Sequence, residues 1–499
     1  MKVNDVLKKT SIHFNISGMK KEDLLPIYNK LKEYEYTEEN VFQRLGVKDI
    51  EYILLKYLPI YLNFKLKENT PLDRLIRLFL LATPLDEREM EEIFDPEEIN
   101  LCRELGLISR NGNGYFSTVD LFPCGGGFFA SDHRFKNKYT KNYVYPPGLD
   151  SYMLARGMID SKPKDTLDLC TGSGIQAILA SRFSEKVVGV DINNRALNFA
   201  RFNALLNQTD NVEFLQGNLY RPVGNRKFDL ILANPPFVPA PQQSIMFRDG
   251  EKSGEAILDR ILKGVRTHIK KNGHAQIVTL LFFKKGETYF EKIINWLAPA
   301  NFQVLVLASR YKEVEPYVLE HVDYDMDYDA YSQQVTTLLK TYQSSGIEKL
   351  ADGLISMRYT PDIPSSFGFR DVRPVNKLFS KNIKSFLDSI VDISHFDSPD
   401  KLRRCNYKLS GDIDFFWEGR YKGGKRNWGV LFNDDSLSID ESLGKLHWIV
   451  LDIVSDGTKN GTMIEEELHK RASNIIEIDE RLFFYTIQRL LQEGILEKE

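Results

Sequence analysis

The stretch TLDLCTGSGIQAILA, residues 166–180, decides the fold, because it has the pattern of a buried strand, a glycine-containing loop and a helix in direct succession. In such a unit the loop lies at the carboxyl edge of a parallel sheet, where open α/β sheets bind ligands. Gly172 and Gly174 permit backbone torsions, and a close approach to a ligand, that a side chain would block. The stretch therefore predicts an α/β fold with a ligand-binding loop.

Strand and helix patterns alternate on both sides of this stretch, from about residue 145 to 360, within a predicted domain at 145–373. They predict a Rossmann-like sheet of seven strands, at 166–170, 187–192, 211–217, 228–234, 274–283, 302–309 and 353–359. The segment at about 311–351 is longer than a normal connection, and its run VTTLLKTYQ predicts a helix. We interpret this segment as an insertion that covers the substrate site.

Asp191 ends the second predicted strand, 19 residues after Gly172. A carboxylate at this position can accept both hydrogen bonds of a ribose diol, and such charge-assisted recognition is strong. The run GSGIQA also fits a dinucleotide fingerprint. On these features alone, a nicotinamide or flavin enzyme and a glycine-rich turn without a ligand both remain open.

The fourth predicted strand ends in Asn234-Pro235-Pro236-Phe237, and this motif indicates the chemistry. Two prolines cannot continue a central strand, and their fixed φ makes a rigid platform beside the glycine loop. The Asn234 side-chain carbonyl and the Pro235 main-chain carbonyl can accept the N–H bonds of a planar nitrogen and favour its developing positive charge. Phe237 can stack on the same group. The motif favours methyl transfer to an amide or aromatic amine over a simple Pro-Pro turn, with no metal.

Together the two motifs resemble class I S-adenosylmethionine-dependent methyltransferases of the N-P-P-[F/Y] type, over about residues 140–285. That group includes release-factor glutamine methyltransferases and small-domain ribosomal RNA N-methyltransferases. The resemblance implies S-adenosylmethionine as cofactor, with its methionine portion held by Asp168, Gly172 and Gly174. It further implies that Asp191 holds the ribose and that Asn218 and Leu219 flank the adenine. The predicted cofactor-binding set is completed by Tyr145, Asp150, Cys170, Thr171, Ile192 and Asn234.

Two positions depart from the family pattern. Cys170 stands where a glycine is usual, and it is small enough to fit but lacks the torsional freedom of glycine. Asn218 stands where an acidic residue is usual. In YPPGLDS, residues 145–151, Asp150 and Ser151 resemble the segment that closes over the cofactor, with ordinary helix capping as the alternative.

The flanking regions predict mainly helical, winged-helix-like domains at 1–122 and 374–499. Leu, Ile and Tyr alternate with charges at helical spacing up to about residue 68, and three helices and a hairpin follow at 71–122. Residues 123–144 are predicted as a linker, because glycines begin this segment and prolines follow it. This arrangement, including FFASD at 128–132, also resembles larger bacterial methyltransferases of unassigned substrate.

Composition limits the partners and the location. The formal net charge of −4 and the scattered four cysteines are typical of a cytoplasmic protein, and we expect no membrane segment. Both flanking domains are acidic, which favours protein docking over duplex binding. One stretch, 401–428, interleaves basic and aromatic residues and could bind nucleic acid, unless it is only a solvated hairpin face.

The sequence thus predicts N-methylation of a planar nitrogen in a protein or small-molecule acceptor, with the glutamine amide favoured. The alternative is an RNA or DNA base N-methyltransferase that acts on an exocyclic amine of adenine or guanine. A second alternative is an interaction protein that senses S-adenosylmethionine without catalysis. The sequence does not predict an oligomeric state.

Overall fold

The computed structural model describes the chain in fifteen ranges: 12–112, 114–134, 142–237, 255–322, 327–371, 380–381, 383–384, 386–388, 399–409, 413–419, 426–432, 438–439, 445–473, 478–492 and 495–499. Helices and strands are numbered below in chain order.

The N-terminal region begins with short helical elements. They are the α-helices α1 (Leu25–Glu33), α2 (Glu38–Leu45) and α3 (Leu58–Ile60), the 3-10 helices Lys21–Leu24, Ile50–Tyr52 and Leu55–Tyr57, and a π-helix, Tyr61–Lys65. The helical spacing of residues 50–64 predicts a regular helix, and that prediction is wrong. Leu54 has an extended backbone, and Pro59 has no amide hydrogen to continue a preceding helix. The stretch is therefore a series of short turns.

Residues 70–117 form three helices and a small antiparallel sheet, where the sequence predicts three helices and a hairpin. The elements are α4 (Pro71–Phe79), β1 (Leu85–Asp86), α5 (Glu87–Glu91), α6 (Pro96–Glu104), β2 (Ile108–Asn111) and β3 (Gly114–Ser117). The strand order is β1-β3-β2. Each helix begins at a capping box, in which an N-cap side chain and an acidic residue three positions later bond each other's backbone amides.

The prediction of a linker at 123–144 is wrong for its first part. β4 (Asp120–Cys124) and β5 (Gly127–Ser131) form a buried hairpin. Two asparagine side chains pair with the backbone of β5 as a neighbouring strand would. Asn207 bonds both the amide and the carbonyl of Phe128, and Asn203 does the same to Ala130, at 2.7–3.1 Å. These pairs satisfy backbone groups that burial would otherwise leave without partners. Residues 135–141 of the predicted linker lie outside the described ranges.

The central sheet contains all seven predicted strands and an eighth, at its edge. They are β6 (Asp165–Leu169), β7 (Lys186–Asp191), β8 (Val212–Gln216), β9 (Phe228–Ala233), β10 (Ile269–Lys284), β11 (Phe302–Glu313), β12 (Ile347–Tyr359) and β13 (Ser366–Asp371). The order is β13-β11-β12-β10-β9-β6-β7-β8, with β12 antiparallel to both neighbours. The sequence missed β13, which pairs parallel to β11. The predicted Rossmann-like α/β fold is confirmed.

Helices cover both faces of this sheet. They are α7 (Leu149–Gly157), α8 (Ile175–Ala180), α9 (Asn194–Leu206), α10 (Ala256–His268) and α11 (Tyr289–Leu297). Alternate residues of β9 enter two separate cores: Leu230 and Leu232 pack with α7–α9, and Ile231 and Ala233 pack with α10 and α11. The predicted insertion contains α12 (Val314–Glu320) and α13 (Tyr328–Ser344), and α13 includes the run predicted to be helical.

The C-terminal region has a core of its own around Tyr407, Phe483 and their neighbours. Its elements are α14 (Pro399–Arg403), β14 (Asn406–Leu409), β15 (Ile413–Gly419), β16 (Arg426–Phe432), β17 (Ser438–Ile439), α15 (Lys445–Val454), β18 (Lys459–Asn460), α16 (Gly461–Ala472), α17 (Glu480–Gln492) and β19 (Leu496–Lys498). β14 lies between β18 and β19. None of the helices in the described ranges combines the length and the hydropathy that a membrane-spanning segment requires.

Candidate functional site

The three sequence signals meet at one edge of the sheet. β6 lies between β7 and β9 and is parallel to both, so the three carboxyl ends are neighbours. The pair Leu169–Ala233 is the last in the register of β6 with β9, and the next residues are Cys170 and Asn234. The glycine loop and the Asn-Pro-Pro motif therefore start side by side at the edge where parallel sheets bind ligands.

The glycine loop is tightly wrapped. Gly172 and Gly174 have φ of +54° and +85°, which is the left-handed region that favours glycine. A Cβ atom on Gly174 would lie 3.0 Å from the Cβ of Ala200 and 3.2 Å from the ring of Phe214. A side chain at position 174 would therefore crowd α9 and strain the backbone, so this path of the loop favours glycine.

Asp168 lies beneath the loop and is fully buried. One carboxylate oxygen, Oδ2, accepts hydrogen bonds from the Thr171 hydroxyl and from the Ala177 amide at 3.1 Å. The other oxygen, Oδ1, is buried and has no hydrogen-bond partner among the described residues. Burial raises the pKa of Asp168 to about 7. A buried acceptor in this state fits a cationic group such as the ammonium of the predicted cofactor.

Asp191 stands at the end of β7, next to the loop. Its Oδ2 accepts from the Gly172 amide at 2.9 Å, and its Oδ1 accepts from the Asn193 amide at 2.8 Å. Burial raises the pKa of Asp191. Each carboxylate oxygen has a second lone pair, so both can still accept a hydroxyl hydrogen. The position fits recognition of a ribose diol.

We expect Asp191→Ala to weaken binding of S-adenosylmethionine by about 1–3 kcal/mol, because a charged hydrogen-bonding partner is lost. Titration calorimetry measures this change, and thermal unfolding without cofactor serves as the control for lost loop structure. Unchanged affinity would contradict the assignment of Asp191 to the ribose.

Cys170 adopts a conformation that usually belongs to glycine, with φ of +58°. Burial raises the pKa of its thiol, so the sulfur stays protonated and is a poor nucleophile. The structure thus agrees with Cys170 as a small packed residue. The departure from glycine leaves local backbone strain in the loop.

The strain at position 170 can be measured with two variants. We expect Cys170→Gly to be more stable than Cys170→Ala by about 1 kcal/mol, because both variants lose the sulfur but only alanine keeps the steric cost of a positive φ. Chemical denaturation of the two variants gives the difference. Equal stabilities would mean that the loop relaxes without cost.

The side chain of Asn234 is held by the start of α7. Its Nδ2 donates to the Asp150 carboxylate at 2.6 Å and to the Ser151 hydroxyl at 3.3 Å. Because a carboxylate cannot donate, these contacts fix which end of the amide is nitrogen. The carbonyl oxygen of Asn234 then points away from Asp150. Within the described ranges it has no hydrogen-bond partner, so it is free to accept a substrate N–H.

The segment 145–151 brings Asp150 to this position. The N-cap of α7 is Gly148, and no side chain caps this end of the helix. Asp150 and Ser151 are therefore not the N-cap residue, which was the alternative role considered for them. A Cβ atom on Gly148 would lie 2.4 Å from Asp150 Oδ1 and 2.5 Å from the Tyr145 hydroxyl. Tyr145 and Asp150 are therefore close neighbours across this glycine. Burial raises the pKa of Asp150, and the hydrogen bond from Asn234 opposes that shift.

The rest of the motif continues toward the insertion. Pro235 is buried, and Pro236 and Phe237 are partly buried. Phe237 packs against a cluster built mainly from β10, α12 and α13, with Phe282 and Tyr342 among its members. The structure thus brings the insertion next to the motif. Residues 238–254, which follow the motif, lie outside the described ranges.

The residues expected at the adenine lie at the ends of two neighbouring strands. Ile192 follows β7 and is 50% exposed, and Asn218 and Leu219 follow β8. The Gly217 amide donates to the Asp191 carbonyl at 2.9 Å and ties the two ends together. Leu219 has φ of +48°, so the turn holds a non-glycine residue in a strained conformation.

The N-terminal segment reaches the same side of the domain, which the sequence did not predict. Asn198 bonds the amide and the carbonyl of Phe14 at 2.7 and 3.0 Å, and Arg195 donates to the Ile12 carbonyl. Ile12, His13 and Asn142 border a cavity of about 390 Å³ with residues 192–195. Contacts between residues this far apart in the chain leave no local pattern in a single sequence. Within the described ranges no three His, Cys, Asp or Glu side chains form a group that could hold a metal ion.

Comparison with known proteins gives the same class of domain. A sequence profile of the methyltransferase small domain matches residues 149–297. A provisionally named protein N5-glutamine methyltransferase of Methanocaldococcus jannaschii is 37% identical over 172 residues, which are 33% of this chain and 84% of that protein. A ribosomal protein uL3 glutamine methyltransferase of Xanthomonas campestris is 34% identical over 27% of this chain and 46% of its own length. A release factor glutamine methyltransferase of Thermodesulfovibrio yellowstonii is 26% identical over 30% and 56%. The chain thus spans about half the length of the last two relatives.

Proposed function

Because this chain belongs to the methyltransferase small-domain family of S-adenosylmethionine-dependent methyltransferases, we propose that it methylates the side-chain amide nitrogen of a glutamine in a protein. The observation that carries this proposal is the hydrogen bond from Asn234 Nδ2 to Asp150, which leaves the Asn234 carbonyl oxygen without a hydrogen-bond partner among the described residues. The names of the relatives, which describe glutamine methyltransferases, support the choice of acceptor.

A planar amide nitrogen is a poor nucleophile because its lone pair is delocalised into the carbonyl group. Asn234 Oδ1 and the Pro235 carbonyl oxygen would accept its two hydrogens, hold the nitrogen in place and stabilise the positive charge that develops on it. Asp150 acts as a positioning residue, because it keeps Asn234 Nδ2 occupied and so prevents the amide from turning over. Pro235 and Pro236 fix the backbone that carries both acceptors.

The residues of the loop would hold the methyl donor. Asp168 would offer a buried carboxylate to its ammonium group and Asp191 a partly buried one to its ribose, and Gly172 and Gly174 keep the loop backbone close. When bound there, S-adenosylmethionine would supply an electrophilic methyl group, with its sulfur–carbon bond exchanged for the new nitrogen–carbon bond and one amide proton released to water. The protein contributes mainly alignment, which can lower a barrier by about 7–11 kcal/mol.

The alternative acceptor, a nucleic acid base, has less support. Among the basic residues of 401–428, Arg403 is paired with Asp400, Glu465 and Glu480, and Lys408 lies near Glu497. A phosphate would have to compete with these carboxylates. The side chains of residues 410–444 lie outside the described ranges. A sensor without catalysis would not need an oriented Asn234 side chain.

We also propose winged-helix folds for residues 71–117 and for the C-terminal domain. In both regions the elements follow the order helix, strand, helix, helix, strand, and these strands belong to a three-stranded sheet. In the C-terminal domain the central strand, β14, precedes the first helix of the module instead of following the last. A cytoplasmic location is proposed on the four cysteines, all of which are free thiols.

Label transfer from methyl-tritiated S-adenosylmethionine to extract from cells that lack this protein tests the acceptor class. We expect label that is destroyed by protease and survives nuclease, with the methylated glutamine found by tandem mass spectrometry. Label that survives protease but not nuclease would replace the protein acceptor with a nucleic acid. Bound cofactor with no transfer to any fraction would favour a sensor.

A further inference from the structure

The segment from Tyr52 to Phe64 exposes a large amount of apolar surface. Its exposed side chains are those of Tyr52, Leu54, Leu55, Tyr57, Ile60 and Phe64, with Phe64 70% exposed. The backbone beneath them is held in place, since the Tyr61 hydroxyl donates to the Tyr52 carbonyl at 2.9 Å. Residues 61–65 form a π-helix, a rare geometry that is frequent at functional sites. Contiguous exposed apolar patches on a folded protein commonly mark an interaction site.

Charged contacts join the start of this segment to the central sheet near the Asn-Pro-Pro motif. Glu51, directly before Tyr52, accepts a hydrogen bond from the Arg310 guanidinium at 3.0 Å. Arg310 also forms an ion pair with Asp352 of β12. In the central sheet Asp352 pairs with Leu280 of β10, three residues beyond Ile277, and the β9 partner of Ile277 is Ala233, which directly precedes Asn234. Glu51, at the start of the apolar segment, therefore lies at the same edge of the sheet as the candidate catalytic amide.

A glutamine side chain is chemically the same in every protein, so the two carbonyl acceptors of the motif cannot select one acceptor over another. Selection requires contacts outside the pocket. The cores of protein interfaces are largely apolar and enriched in aromatic side chains, which commonly carry much of the binding energy. The 52–64 segment offers such side chains beside the site, on a part of the chain that the methyl transfer itself does not use.

From this position we infer that the exposed apolar side chains of residues 52–64 form the docking surface for the protein that carries the methylated glutamine. The inference rests on the proposed function, and it deepens that function by assigning where the acceptor protein is recognised. The expected partner presents apolar side chains next to an exposed glutamine. It contacts the N-terminal region of the enzyme while the glutamine reaches Asn234.

The test compares an intact acceptor with a short peptide. The intact acceptor is the protein that takes up label in extract, and the peptide spans its methylated residue. The variant Leu55→Ser/Ile60→Ser/Phe64→Ser removes the surface, and Met463→Ser/Tyr485→Ser is the matched control, because those two side chains are 56% and 66% exposed in the C-terminal domain. We expect the first variant to raise KM for the intact acceptor about tenfold or more, with kcat, peptide turnover and cofactor affinity unchanged. The control variant should behave as the wild type.

Several outcomes would overturn the inference. They are an unchanged KM for the intact acceptor, an equal loss on protein and peptide, and an acceptor that is not a protein. Wild-type protein that dimerises through this surface, or that floats with phosphatidylethanolamine–phosphatidylglycerol vesicles while the variant does not, would assign the surface to another occupant. If the methyl group is found on a residue other than glutamine, the proposed function fails. In that case the KM of the triple variant for the intact acceptor protein still decides the docking inference. The same KM decides it if the wild type does not methylate the peptide.

Discussion

Asn234→Ala is expected to lower kcat by about two to three orders of magnitude, a much larger effect than its effect on the affinity for S-adenosylmethionine. The reason is that the Asn234 carbonyl oxygen would interact most strongly with the charge that appears on the acceptor nitrogen during transfer, and loss of one such preorganised group typically has this effect. Steady-state kinetics with the labelled acceptor and calorimetry with the cofactor separate the two quantities. A wild-type kcat in this variant would contradict the mechanism.

Asp150 provides the matched control for this experiment, because it acts through Asn234. Asp150→Asn keeps an oxygen that accepts from Asn234 Nδ2, whereas Asp150→Ala leaves the amide free to turn over. We expect kcat to fall with Asp150→Ala and to recover largely with Asp150→Asn. A purely structural role would instead lower thermal stability in both variants and leave the ratio of kcat to KM of the folded protein unchanged.

Asp168→Asn is expected to have two effects of opposite sign. Cofactor affinity should fall by about 2–3 kcal/mol, because the unpartnered Oδ1 is replaced by an NH₂ group that cannot accept from a cation. The unliganded protein should become more stable above neutral pH, because a buried charge is removed. Calorimetry measures the first effect, and thermal unfolding without cofactor measures the second.

The sign of the stability change follows from the raised pKa. In the unfolded chain the Asp168 pKa lies near its model-peptide value, and in the folded protein burial raises it to about 7. The stability that protonated Asp168 contributes is therefore fully present below about pH 4 and is lost as the pH rises through 7. At about pH 8 the asparagine variant should be more stable by an amount on the order of 2–4 kcal/mol. By the same linkage, cofactor binding should weaken as the pH falls below about 7.

Asp229→Asn is the matched control within the same sheet. The side chain of Asp229 pairs with Lys270, and this contact helps to lower the Asp229 pKa. Loss of this ion pair in Asp229→Asn should therefore reduce the stability of the protein at neutral pH and leave cofactor affinity unchanged. Unchanged affinity in Asp168→Asn, or a stability change equal to that of the control, would contradict the role assigned to Asp168.

Much of the central sheet could be predicted because its strands leave a pattern among neighbouring residues of the sequence. A buried parallel strand followed by a glycine turn and a helix leaves a continuous apolar run and a clear break in the sequence, as at residues 166–180. The seven strands follow from this pattern. The eighth strand, β13, could not be predicted from this pattern. Its sequence SFGFRD is short, and it reaches the edge of the sheet after a brief turn instead of a helix.

Other features depend on contacts between residues far apart in the sequence. The hairpin at 120–131 has the glycines of a linker, and it is ordered because Asn203 and Asn207 of α9 pair with its backbone. The stretch at 50–64 has helical spacing, but Pro59 and the extended Leu54 interrupt it. At the site, the glycine loop and the Asn-Pro-Pro motif were found from the sequence. The contact of Arg310 with Glu51 was not, because no local pattern joins them.

The position of the methyl group on the acceptor tests the central claim most directly. Labelled acceptor protein is hydrolysed in strong acid, the hydrolysate is made alkaline, and the volatile amines are then distilled away from the amino acids. If the methyl group is on a glutamine amide nitrogen, the label is expected to leave as methylamine, because hydrolysis breaks the bond between the carbonyl and the methylated nitrogen. Label that stays on lysine or arginine, or that leaves as methanol in mild base, would contradict transfer to a planar amide by the Asn234 platform.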